Sequence, residues 1–200
     1  MDRQYWIRSK PVYTTLLWHE KATAHVVIAE GDGGLAVLKL LQQKYPSQQV
    51  KGFFVKSPNA LKNYADIISS LAPEEFKIYG NTNEALNSLK KSLADCCMGS
   101  RFYLAGSEGF IWSVAKVLAS VGVQDDDVDK ELCGTLARSV YCVHCKAITH
   151  DAHHNVVACS GCQRQLFIRD HFSRRLGAYM GLMVDAEQPG VLPSIEEVYP

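Results

Sequence analysis

His25-Val26-Val27-Ile28-Ala29-Glu30-Gly31-Asp32-Gly33-Gly34 is the stretch that decides the fold of this chain. Val26, Val27 and Ile28 are consecutive β-branched residues, which suits a strand buried on both faces. Gly31, Gly33 and Gly34 end that run, and a helical pattern opens near Leu35. Glycines at a strand-to-helix junction either make a tight turn or let backbone amides approach a phosphate, whose charge the helix dipole favours. Both readings stand on these residues, because Glu30 and Asp32 put two negative charges where a phosphate would lie.

Outward from this unit the alternation repeats. Residues 50–55 (VKGFFV), 76–79 (FKIY) and 102–105 (FYLA) have strand length and β-branched or aromatic content. A helical pattern follows each. After the second strand, Ser57-Pro58 offers a cap and a first-turn proline, with Leu61, Tyr64, Ala65, Ile68 and Leu71 at helical spacing. Leu86, Leu89 and Leu93 mark the next helix, and Phe110, Val114, Val117, Leu118 and Val121 the one after. A fifth strand is expected at 128–132. Strands alternating with helices are joined by right-handed crossovers, so an α/β fold is predicted: a parallel sheet with helices on both faces, over residues 25–135. Residues 1–24, with Tyr5, Trp6, Tyr13 and Trp18, read as a packed N-terminal arm or edge strand.

The chain has 200 residues, with 21 basic and 21 acidic side chains. Its apolar runs fall far short of the roughly 20 residues a bilayer helix needs, and no basic-then-apolar export signal opens it. Zero net charge supplies no electrostatic footprint for nucleic acid. A cytoplasmic protein without membrane or nucleic-acid partners is expected.

Seven cysteines in such a setting argue against a disulfide framework. Four of them form two knuckles of equal spacing, Cys142-x-x-Cys145 and Cys159-x-x-Cys162, thirteen residues apart. Paired knuckles let four thiolates converge tetrahedrally on one ion, and the span between them suits the hairpin of a zinc ribbon over 136–168. Val143 and Ser160 stand inside the knuckles and Lys146 and Gln163 follow them, where rubredoxin knuckles place Pro and Gly, so structural Zn2+ is expected rather than iron. His144, His150, His153 and His154 read as solvated hairpin residues, because four cysteines already complete a tetrahedron. Cys96, Cys97 and Cys133 read as small apolar packers. Asp125-Asp126-Asp127 reads as a solvated loop.

Residues 167–184 read as amphipathic, with Arg169, Arg174 and Arg175 on the polar side, and 169–200 are assigned to a C-terminal helix and tail. Pro189, Gly190, Pro193 and Pro200 limit regular structure in that tail. Arg174 and Arg175 beside Phe172, Tyr179 and Met180 have the composition of an interface centre. Packing of an ordinary helix on its own domain is the alternative.

The order HVVIAEGDGGLAVLKLL, FFVKSPNALKNYADII and RFYLAGSEGFIWSVAKVLASVGV resembles the pyridine-nucleotide domain of ferredoxin reductases, above all the phthalate-dioxygenase-reductase type. That resemblance implies a nucleotide site in which Gly31 and Gly33 form the glycine turn, Lys56-Ser57 stands where the family's Arg-Ser pair addresses the adenosine side, and Gly106 lies at the turn beside the nicotinamide. The family's thiol at that turn is replaced by Ala105. Such a reductase needs a flavin barrel of roughly 100 residues ahead of its nucleotide domain. Only 24 residues precede it here, so a chain that does not carry its own flavin is expected.

Joined to the ribbon, the segment DHFSRRLGAYMG at 170–181 and DAEQPG at 185–190 resembles the small subunit of bacterial dimethylamine (secondary amine) monooxygenase. The resemblance implies a multi-component, NADPH-dependent enzyme that demethylates dimethylamine to methylamine and formaldehyde. Haem, flavin mononucleotide and an iron-sulfur cluster would then lie on partner subunits, a haem oxygenase subunit and a flavin and iron-sulfur reductase subunit. Three roles remain open on the sequence: an assembly subunit, an NADPH-binding component that presents the nicotinamide to a partner's flavin, and a zinc-ribbon adaptor outside redox metabolism. No pairing of nucleophile with base is evident, so no residue is assigned as catalytic.

Overall fold

In the computed structural model, which describes residues 10–43, 48, 50–58, 60, 62–72, 74–94, 96 and 98–200, the deciding stretch forms strand β1 (Ala24–Glu30), a 3-10 turn (Gly31–Gly33) and helix α1 (Gly34–Leu41). Tyr5, Trp6, Leu61 and Cys97 lie outside the described residues. Strands β2 (Val50–Val55), β3 (Phe76–Tyr79) and β5 (Val128–Leu132) match the expected spans, and β4 (Ser100–Gly106) extends its span at both ends. Between them run α2 (Tyr64–Leu71), α3 (Thr82–Leu93) and α4 (Glu108–Ser120). The chain divides into two compact units, Tyr13–Gly134 and a second that joins Thr135–Pro200 to the described residues of Met1–Val12.

In the first unit every strand pair is parallel, in the order β3-β2-β1-β4-β5. Helix α1 packs with α2, and α3 with α4. With right-handed crossovers, reversal of direction after β3 puts the two pairs on opposite faces. The five central residues of β1 are accordingly all buried. On the face of α1 and α2, Val27, Ala29, Phe54, Phe76 and Tyr103 pack against Ala36, Val37, Leu40, Tyr64, Ala65 and Ile68. The segment from Tyr13 belongs here as well, forming no strand: Leu16 is 1% exposed, and Trp18 stacks on His25 with centroids 3.8 Å apart.

Two helix expectations are corrected. Helix α2 starts at Tyr64 with Asn63 at its N-cap, and Ser57-Pro58 stays in the loop before it. That loop crosses the glycine turn so closely that a Cβ on Gly31 would stand 2.9 Å from Ser57 Cβ. Leu71 and Val121 are exposed, since one is the last residue of α2 and the other already caps α4.

In the second unit, β6 (Arg138–Cys142), β7 (Ile148–Ala152), β8 (Val156–Ala158), β9 (Gln165–Ser173) and β10 (Ala178–Met183) form a mixed sheet in the order β7-β6-β10-β9-β8. Only β6 and β10 pair in parallel. The expected C-terminal helix is therefore wrong: 167–184 is a hairpin turning at Gly177, whose φ is +64°. Leu166 and Ile168 are buried while Phe167 and Arg169 are exposed, the period of two that a strand requires. Strand β9 also runs straight through the boundary expected at 168/169.

Candidate metal centre and nucleotide cleft

Each knuckle is the tight turn of a hairpin end. The Cys142 amide donates to the Ala147 carbonyl and the Lys146 amide to the Cys142 carbonyl, both at 2.9 Å; Cys159, Arg164 and Gln163 repeat that pair of bonds at the same lengths. The repeat forces Lys146 and Gln163 into the left-handed region, at φ +70° and +61°. All four thiol sulfurs lie within 4.8 Å of one another. Cys142 Sγ to Cys162 Sγ is 3.9 Å, and Cys145 Sγ to Cys159 Sγ is 3.5 Å.

A tetrahedron with metal–sulfur bonds of about 2.3 Å has edges of about 3.8 Å, so four thiolates at these separations fit a single tetrahedral ion. They are too far apart for disulfides, whose sulfurs bond at about 2.05 Å. Cys142 and Cys159 are buried, whereas Cys145 is exposed. The Arg164 amide hydrogen-bonds the Cys162 thiol and, with that residue's side chain and neighbouring sulfurs, lowers its pKa to about 6, favouring the thiolate a metal needs. At Cys145 the Ala147 amide acts the same way, yet desolvation within the cluster and the three surrounding thiols win and push it up to about 11. Among the described residues no histidine joins the cluster: His150 Nδ1 meets Ser139 Oγ at 3.0 Å, His153 Nδ1 the Tyr199 carbonyl at 2.8 Å, and His144 Nδ1 the Arg164 guanidinium at 3.1 Å.

The residues assigned to a nucleotide site fall into two groups. Gly31, Lys56 and Ser57 line one cleft of about 590 Å³ over the carboxyl ends of β2 and β3, with Lys62, Asn63, Tyr64 and Gly80 completing its wall. Gly33 and Gly106 serve elsewhere. A Cβ on Gly33 would stand 2.5 Å from the Ala105 carbonyl oxygen, so this glycine lets the turn press against the end of β4. Gly106, at φ +151°, would meet Glu30 Cγ at 2.8 Å. Sequence reasoning missed Lys62 and Asn63, whose signal was a basic-polar pair just ahead of an apolar helix face.

Glu30 was read only as an unfavourable charge; here its Oε1 accepts hydrogen bonds from the Ser107 hydroxyl and, at 3.3 Å, from the Ser107 amide. Ser107 in turn caps α4, accepting from the Phe110 amide at 3.3 Å. Cys133 Sγ approaches the same strand end; burial, then Glu131, raises its pKa to about 11 against the Gly106 amide. Asp125, expected in a solvated loop, belongs to a 3-10 turn and holds Lys130 Nζ at 2.6 Å.

A doubly wound parallel body in one unit and a mixed sheet closing on four convergent thiols in the other define a class, an α/β domain joined to a four-cysteine ribbon. The chain belongs to the DmmA-like family of dimethylamine monooxygenase subunits: its residues 5–128 match the family's N-terminal domain and 139–182 its C-terminal domain. It is 36% identical over 107 residues to the heme-dependent oxidative N-demethylase delta subunit of Ectopseudomonas mendocina (strain ymp), an alignment spanning 52% of this chain and 61% of that protein. Among solved structures it is similar to phthalate dioxygenase reductase, at TM-score 0.45 and 10% identity over 68% of this chain and 46% of that one. It is also similar to an intact type IV self-sufficient cytochrome P450 monooxygenase, at TM-score 0.48 and 16% identity over 83% of this chain and 26% of that one. The chain thus spans less than two thirds of each of these relatives.

Proposed function

We propose that this chain is the small, non-haem-carrying subunit of a multi-component, NADPH-dependent haem monooxygenase that oxidatively demethylates dimethylamine to methylamine and formaldehyde, and that its role is structural. The observation that carries this reading is the match to both DmmA-like domains in order along the chain. A delta-subunit relative of a heme-dependent N-demethylase supports an assembly with partner subunits; in this reading they are a haem oxygenase subunit and a flavin and iron-sulfur reductase subunit, and the complex is cytoplasmic. Among the described residues no helix is long and apolar enough to cross a membrane.

The ion assigned to Cys142, Cys145, Cys159 and Cys162 is Zn2+. Four thiolates leave it no open coordination position, so it holds the ribbon's fold rather than reacting. Metal analysis should find about one zinc per chain and a colourless protein; a red, iron-loaded protein would overturn this. The assembly role is tested by co-expressing the partner subunits with and without this chain. Normal assembly and dimethylamine turnover in its absence would end the proposal.

A second reading, favoured by the cleft that gathers Gly31, Lys56 and Ser57, gives the body a nucleotide-binding task, with Gly33 and Gly106 shaping the strand ends beside it. Unchanged NADPH binding by the complex after Lys56→Glu would remove it.

A further inference from the structure

In a doubly wound sheet, a dinucleotide lies across the crevice where strand order reverses, its two halves over the strand ends on either side. Here the reversal falls between β1 and β4, and the two sides of β1 differ. On the β2 side the 590 Å³ cleft presents Lys56, Lys62, Ser57 and Asn63. On the β4 side the space is occupied by the chain itself. Glu30, the last residue of β1, extends over Gly106, and its carboxylate is bound by the amide and hydroxyl of Ser107 at the N-terminus of α4. That is the position and the chemistry of a ligand anion at a helix start, supplied from within. Asp32 also turns to this side, its Oδ2 3.6 Å from where a Cβ on Gly134 would stand. Cation-bearing and anion-bearing halves therefore meet at the glycine turn.

We propose that the cleft is an adenosine-phosphate site from which the nicotinamide half of a dinucleotide is excluded by the Glu30 carboxylate. The inference rests on the nucleotide-binding reading and narrows it. Phosphates sit against Lys56 and Lys62, while the nicotinamide end of the ligand would have to displace a carboxylate already satisfied by two donors. The chain then senses or holds an adenine nucleotide without presenting a nicotinamide for hydride transfer.

The test titrates the full chain with NADPH and with 2′-phospho-ADP-ribose, which is NADPH lacking its nicotinamide. The two should bind with affinities within about threefold of each other. Glu30→Ala should tighten NADPH by about tenfold or more and leave 2′-phospho-ADP-ribose unchanged, and Glu30→Gln, which keeps the shape and removes the charge, should fall between. Wild-type binding of NADPH about tenfold tighter than the truncated ligand would overturn the exclusion while leaving the nucleotide site in place. Binding of neither ligand would remove the nucleotide reading itself, and the inference with it.

Discussion

Lys146 and Gln163 occupy the same left-handed backbone position, one residue past the second cysteine of each knuckle. The left-handed region costs a non-glycine residue about 1–2 kcal/mol. Gln163→Gly removes that strain and adds unfolded-state entropy of about 0.5–1 kcal/mol, so a net stabilisation of up to about 1.5 kcal/mol is expected. Gln163→Val, branched at Cβ, should destabilise by more than about 1 kcal/mol. Denaturant titration of the metal-loaded protein checks both signs.

Cys142 and Cys159 are fully buried in the thiol cluster. Cys159→Ser, or removal of metal with a strong chelator, should abolish metal binding and unfold the Thr135–Pro200 sheet while the parallel sheet of Tyr13–Gly134 persists. Hydrogen exchange read separately on the two units distinguishes this from global unfolding. Retained protection in β6 and β9 of the metal-free protein would contradict it.

Gly33→Ala should destabilise the first unit by about 2 kcal/mol, because the new methyl meets the rigid Ala105 carbonyl rather than a movable side chain. Gly80→Ala, where nothing lies within 4 Å of the added Cβ, is the matched control. Thermal melts of the pair should separate clearly.

Burial raises the Tyr103 phenol to about 12, against the His19 amide that donates to it at 3.2 Å, with Asp129 adding to the rise. In the unfolded chain it titrates near 10. The folded state therefore holds this proton longer, and its contribution to stability is complete below about pH 10 and lost as the pH rises toward 12. Tyr103→Phe should flatten that alkaline loss. It should also cost about 1–3 kcal/mol at neutral pH, since His25 Nδ1, 3.0 Å from the phenol, loses its partner. Stability measured against pH for both proteins provides the check.

The Arg138 guanidinium carbon lies 3.9 Å from the ring centroids of both Tyr179 and Tyr199, and the same group reaches Asp170 at 3.0 Å. Arg138→Lys keeps the charge but loses the planar stack, and should cost about 1 kcal/mol or more. Faster proteolysis of residues 191–200 in the variant would report release of Tyr199, and the tail with it, from residue 138.

The parallel sheet and the convergence of the four cysteines were legible because each rests on local signals. A buried β-branched run such as Val26 to Ile28 has no other comfortable conformation, and the spacing of Cys142, Cys145, Cys159 and Cys162 is itself the geometry of the site. The hairpin at 167–184 was misread because Arg169, Arg174 and Arg175 suit a helical polar side, while the deciding period of two, Leu166 and Ile168 against Phe167 and Arg169, covers only four residues. The start of α2 was misplaced because Ser57 serves a contact with Gly31 that adjacent sequence does not encode. The Glu30–Ser107 bond spans 77 positions, and no window on the primary structure contains both partners.

The ribbon's pairings differ in reach along the polypeptide. Ligands Cys142 and Cys162 are 20 positions apart, whereas β6 must wait for β10, some 40 residues downstream, before its second edge is covered. Loop closure favours the shorter connection. An ion held by the four cysteines would therefore close the ribbon's shorter connection before β10 pairs with β6.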